Sequence, residues 1–245
     1  MIFKKAGSIL AAFAFAAVLL SCAATPPDAH PSTAAGADVG SPAGLKAAYA
    51  QLGASGGRVL TLDPGASAVR IYVFRAGQAA KVGHNHVLSA PQFTGFLFLP
   101  PSGAAAARFD LVFRLDQLEI DNPAYRSTLG AAFASPLPPG AIEGTRDHML
   151  GEDNMQADRF PLVRIHSVQI AGESPRFAAK VQVEMHGVTR EIWLPLSVEG
   201  LPEHLAVSGA FVLRQSDFGV QPYSVLGGLL AVRDEVVIEF KLVGA

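Results

Sequence analysis

Two histidines, His84 and His86, stand two residues apart in the chain. On an extended backbone residues i and i+2 face the same side, so the two imidazoles would point together. A third donor such as His148, or Asp147 beside it, would complete a site for a divalent metal such as zinc, copper or iron. The competing reading makes the pair rim or loop histidines hydrogen-bonded to backbone or water. His166, His186 and His204 have no such spacing and read as polar-face or turn residues. Ser127 and Thr128 lie in a Pro-rich stretch without a nucleophile elbow, and no Gly-rich turn offers a phosphate cradle. Glu152 and Asp153 are adjacent at an expected helix end, where carboxylates face solvent rather than act as a hydrolytic pair. Nothing in these residues argues for catalysis. Arg146, Asp147 and Asp158 read as capping and ion-pairing residues around that helix.

The single cysteine, Cys22, rules out an internal disulfide and has a different chemistry available to it. Lys4 and Lys5 form a short basic region, Ala6 to Leu20 is an unbroken run of apolar or small residues, and Leu19, Leu20, Ser21 and Cys22 follow at once. This resembles a bacterial lipoprotein signal peptide: Leu19 stands three before the cysteine and the small Ser21 just before it, with Leu20 a mild departure. Fifteen residues from Ala6 to Leu20 are short for a membrane span. Residues 1–21 are therefore expected to be a signal peptide and Cys22 a lipidation site, with more than one acyl chain giving stable anchoring at a membrane. Ala23 follows in place of the Asp that, by the same resemblance, retains lipoproteins at an inner membrane. The periplasmic face of an outer membrane is the expected location. Residues 22–57, rich in Ala, Pro, Gly, Ser and Thr, read as a flexible tether in which Leu45 to Leu52 could form a marginal helix.

The elements that would carry the remaining residues are strands. Half of the 245 residues are apolar and 16% are charged, enough for one sizeable core, and a formal charge of -2 with scattered Lys and Arg excludes a nucleic-acid partner. From residue 58 to 245 the pattern has period two. Strands are expected at 58–62, 67–75, 93–99, 107–120, 162–170, 177–185, 191–198, 205–213 and 235–243, with 93–99 apolar on both faces and so central or covered. Asp63-Pro64-Gly65 reads as a turn, and His186 to Arg190 as a tight hairpin. Asp121 to Gly140 reads as a long loop crossing a barrel mouth. One short helix is expected within Thr145 to Ile165, capped by Thr145 and stopped by Gly151. Eight or nine antiparallel strands, each with one apolar face, close as a barrel or stack as a sandwich, and patterning alone does not separate the two.

Four segments in a fixed order carry a resemblance. Arg146-Asp147-His148-Met149-Leu150, Asp158-Arg159-Phe160-Pro161, Met185 through Arg190 and Asp217-Phe218-Gly219-Val220 are similar to the segments that mark the YceI-like family. The likeness covers about Ala68 to Val243. It implies an all-β, lipocalin-like antiparallel barrel with the helix over one end and an interior tunnel that takes a polyisoprenoid. Members are generally exported. Gly83-His84-Asn85-His86 departs from what typical members carry there, which bears on the ligand more than on the fold.

A long apolar ligand needs buried area rather than reactive groups, at about 25 cal/mol per Å². The expected lining is Val73, Phe96, Phe109, Leu111, Phe113, Val181, Val183, Ile192, Leu194, Phe211, Ile238 and Phe240, residues that would equally fill a dry core. The leading expectation is thus an envelope lipoprotein, not an enzyme, that carries, stores or senses an isoprenoid or quinone-like lipid. The alternatives are a metal-binding or metal-dependent redox protein using His84 and His86, and a filled barrel whose surface recruits a partner. Exposed strand edges leave a homodimer open.

Overall fold

Alternation of apolar and polar residues makes strands of most of the chain, and the order of those strands curls them into a barrel. In the computed structural model residues 40–245 are described and fall within one compact unit. The expected signal peptide, Cys22 and the tether up to residue 39 lie outside the described residues. Strands β1 (Arg58–Thr61), β2 (Ala68–Ala76), β3 (His86–Ser89), β4 (Thr94–Leu99), β5 (Arg108–Arg114) and β6 (Glu119–Ile120) come first. After two helical segments come β7 (Leu162–Glu173), β8 (Arg176–Met185), β9 (Val188–Glu199), β10 (Leu205–Arg214), the short β11 (Ser224–Val225) and β12 (Leu230–Gly244). All pairings are antiparallel, in the order β1-β4-β5-β7-β8-β9-β10-β12-β2-β3-β6. β1 pairs with β4 while β2 pairs with β3, and β4 pairs with β5 while β3 pairs with β6. Each of these three pairs of short strands is therefore one bent pass of the chain. The ring closes where β2 pairs with β12 and where Thr61 exchanges backbone hydrogen bonds with Ala245. Counted by passes this is an eight-stranded, up-and-down, lipocalin-like barrel, the size whose interior can hold one small ligand.

The hairpin between β8 and β9 is a two-residue turn. His186 and Gly187 have φ of 53° and 72°, the pair of positive angles that a type I′ turn requires. A side chain at Gly187 would meet the Phe160 ring at 2.6 Å, so this glycine also permits a close approach. The β9 to β10 seam is paired only from Ser197 to Glu199. Val198 N–H donates to Pro175 on the β8 side, so alternation turns the backbone of residue 195 toward β10. Pro195 has no N–H to offer there, and the ladder stops.

The sheet is covered in two places on its outer face. Helix α1 (Pro42–Ala54), capped by the Ser41 side chain on Gly44 N–H, buries Leu45 and Tyr49 against Phe96, Phe98 and Val112. Residues 42–54, expected within the tether, are therefore a docked helix, and strand β4 is apolar on both faces because both are covered. The 121–140 segment, with helix α2 (Pro123–Arg126), does not cross the mouth. Its Phe133 packs edge-on against Tyr72 and Phe74 on the outer side of β2. Helix α3 (Ala141–Leu150) begins four residues before Thr145, from Gly140 at φ 76°, and stops at Gly151 as expected. Thr145 is not its cap: its hydroxyl donates back to Ala141 O within the helix.

Candidate ligand cavity

Inward residues from every pass meet in one apolar cavity of about 520 Å³. Val69, Ile71 and Val73 of β2 line it from one side, Phe109, Leu111 and Phe113 of β5 from another, and Phe211, Leu213, Val236, Ile238 and Phe240 from β10 and β12. At one end Ala141, Gly144, Thr145 and His148 of α3 face the space, recurring every three or four residues as one helical face does. Ala104 and Ala107, between β4 and β5, lie at the other end. Arg146 fixes α3 to the wall by donating to the carbonyls of Asp116 and Leu118 at 3.0 and 2.7 Å.

Of the expected lining, Val73, Phe109, Leu111, Phe113, Val183, Leu194, Phe211, Ile238 and Phe240 face the cavity. Phe96 does not. It points outward and stacks on Tyr49 of α1 at 5.2 Å between ring centres, while its neighbour Leu97 takes the inward place. Val181 and Ile192, cross-strand partners on β8 and β9, belong to the packed wall and not to the cavity surface.

The three histidines do not gather into one metal site among the described residues. His84 precedes β3, so strand alternation does not align it with His86. Its Nδ1 is buried without a partner, and burial, with the charges of His86, Arg126 and Arg75 adding, pushes its pKa down. His86 is on β3 and donates from Nδ1 to Asp121 Oδ2 at 2.5 Å. His148 is on α3, its ring 4.8 Å from that of Tyr223. Among the described residues no three His, Cys, Asp or Glu side chains are grouped to hold a metal ion, so His84, His86 and His148 do not form the expected set.

Asp121 is the residue that sequence reading passed over. It is 1% exposed and accepts from His86, from Val87 N–H at 3.0 Å and from Arg126 at 2.5 Å. Burial alone would raise its pKa, but the hydrogen bonds from His86 and Val87 N–H, with Arg126, hold it below the usual carboxylate range. The available signal was Asp121-Asn122-Pro123 directly after a strand, a turn sequence whose first residue takes φ 54°.

The family model for the YceI-like domain matches residues 60–244. The crystal structure of Burkholderia cenocepacia BcnA superposes with a TM-score of 0.53 at 17% identity, over 74% of this chain and 98% of that one, a likeness of fold alone. A Campylobacter jejuni YceI protein, crystallised with large solvent channels, gives 0.47 at 11% identity over 64% and 82%. No curated protein sequence matches.

Proposed function

The chain belongs to the YceI-like domain family, and from that premise we propose that its barrel holds one long apolar lipid, an isoprenoid or quinone-like chain, as a carrier, store or sensor in the cell envelope. The observation that carries this reading is the cavity: about 520 Å³ of space whose walls are almost wholly hydrocarbon. An apolar cavity of about 150 Å³ takes one benzene, or about 25 Å³ per carbon, which scales to a ligand of about twenty carbons here. At about 0.8 kcal/mol per buried methylene such a chain supplies about 16 kcal/mol before the association cost of roughly 4–15 kcal/mol. Shape and burial suffice, and no reactive group is needed. Leu19, Ser21 and Cys22 support an anchored form of the protein, and Ala23 after the cysteine supports the periplasmic face of an outer membrane.

The test is mass spectrometry of an organic extract of the protein purified from the envelope of its own host, with metal analysis of the same sample. A stoichiometric isoprenoid or quinone is the expected result. A protein with no extractable lipid and about one equivalent of zinc, copper or iron would overturn the proposal.

A further inference from the structure

The cavity wall contains one polar side chain donated by a strand, and it is held from behind. His86 lies in the lining, with Nδ1 committed to Asp121 Oδ2 at 2.5 Å. Asp121 in turn accepts from Arg126, whose guanidinium also donates to the carbonyls of Asn85 at 2.8 Å and Phe133 at 2.6 Å. The imidazole therefore has one orientation and, when neutral, one tautomer: Nδ1 carries the proton and Nε2 is the lone-pair acceptor. With Val87 N–H and Arg126 already on Asp121 Oδ1, the clamp on β3 and β6 is substantial without the histidine. His86 is the member of this cluster that lines the cavity.

The rest of the lining limits what can bind there. Among the described residues that line the cavity, none is Lys, Arg, Asp or Glu. The other polar side chains come from α3 and the loops at its end, and several are engaged: Thr145 donates to Ala141 O, Asn154 to Gln221 O and Gln215 to Arg233 O. A phosphate or diphosphate carried into this space would meet no lysine or arginine, and a buried anion without such a partner is strongly unfavourable. An O–H group would meet the acceptor it needs.

We propose that His86 Nε2 anchors a hydroxyl end group, that of an isoprenoid alcohol or a phenol, and that the cavity selects uncharged lipids over phosphorylated ones. The inference rests on the lipid-binding reading above and names the chemistry of the ligand's polar end.

Titrating the full chain, freed of bound lipid, with three C20 ligands tests it: geranylgeraniol, the hydrocarbon of the same branching, and geranylgeranyl diphosphate. The alcohol is expected to bind about three- to tenfold tighter than the hydrocarbon, the effect of one hydrogen bond, and the diphosphate more weakly than either. His86→Leu should remove the alcohol's advantage over the hydrocarbon, and the variant's circular dichroism and melting temperature check separately that the barrel is intact. His86→Gln, whose amide oxygen can accept, should restore part of it. Equal affinity of the native protein for alcohol and hydrocarbon would overturn the proposal, as would an advantage that survives in His86→Leu or a diphosphate that binds as tightly as the alcohol. If none of the three binds, the lipid reading itself falls.

Discussion

Asp110 joins two groups on the outer face of the barrel. One oxygen accepts from the Tyr49 hydroxyl at 2.7 Å and the other from His166 Nδ1–H at 2.7 Å. Burial, with the Asp110 charge, pushes the Tyr49 phenol up, so it stays protonated and donates. The hydrogen bond to Asp110 raises the His166 pKa above 6.5, against a smaller opposing effect of burial. A pKa raised on folding means that the native state holds the proton more tightly. Its stabilisation is complete below about pH 6.5 and is lost as pH rises through the folded value. Half of the His166 side chain is exposed, so the effect is expected to be under about 1 kcal/mol. Urea unfolding between pH 6 and 9 should show this shallow decline, and His166→Ala should flatten it. A slope unchanged by the substitution would assign the decline to other groups.

At the scale of elements, α1 and the β9 to β10 seam behave in opposite ways. Tyr49 is 2% exposed between Phe96 and Asp110, so Tyr49→Ala should cost about 3–5 kcal/mol by cavity formation. Tyr49→Phe should cost only about 1 kcal/mol, the hydrogen bond alone. Denaturant midpoints separate the two, and near-equal losses would mean that the hydroxyl, not the packing, docks the helix. At the seam, the amides of Ala210 and Val212 point toward β9 by alternation from the paired Ala206 and Ser208, beyond the last ladder pair. They should exchange with deuterium faster than amides in the continuous β8 to β9 ladder, which is paired from Arg176 to Met185. Gly209 keeps the splayed strands close: a side chain there would meet the Phe240 ring at 2.6 Å and Pro195 O at 2.7 Å. Protection at Ala210 and Val212 equal to that of β8 would show a closed seam in solution.

For the whole molecule, the barrel's length sets what fits. Ala104 and Ala107 are small residues at the cavity end remote from α3. A larger side chain there occupies ligand space rather than core. Ala107→Phe should shorten the longest lipid accepted by several carbons while leaving the melting temperature of the lipid-free protein nearly unchanged. A ligand present at 100 times its Kd should stabilise the native protein by about 2.7 kcal/mol, and that increment should shrink for long chains in the variant. Thermal unfolding with isoprenoid alcohols of increasing length reads both quantities, and a length profile identical to the native one would place the ligand's far end elsewhere.

Much of this architecture was legible in one dimension because strands write their faces into the sequence with period two. Val69, Ile71 and Val73 share the cavity side, His186-Gly187 is a turn, and four short segments in order marked the family. The sequence also determined that the interior would be apolar. Only the tertiary structure decided which apolar residues enclose empty space. Phe96 and Leu97 look alike in a strand that is apolar on both faces, and the docking of α1 assigns one outward and the other inward. Val181 and Val183 share a strand face, yet only Val183 reaches the cavity. His86 and Asp121 are 35 residues apart and become partners because β3 and β6 are paired. Periodicity is a local property of the backbone, while a cavity and a buried hydrogen bond depend on which distant segments the closing sheet brings together.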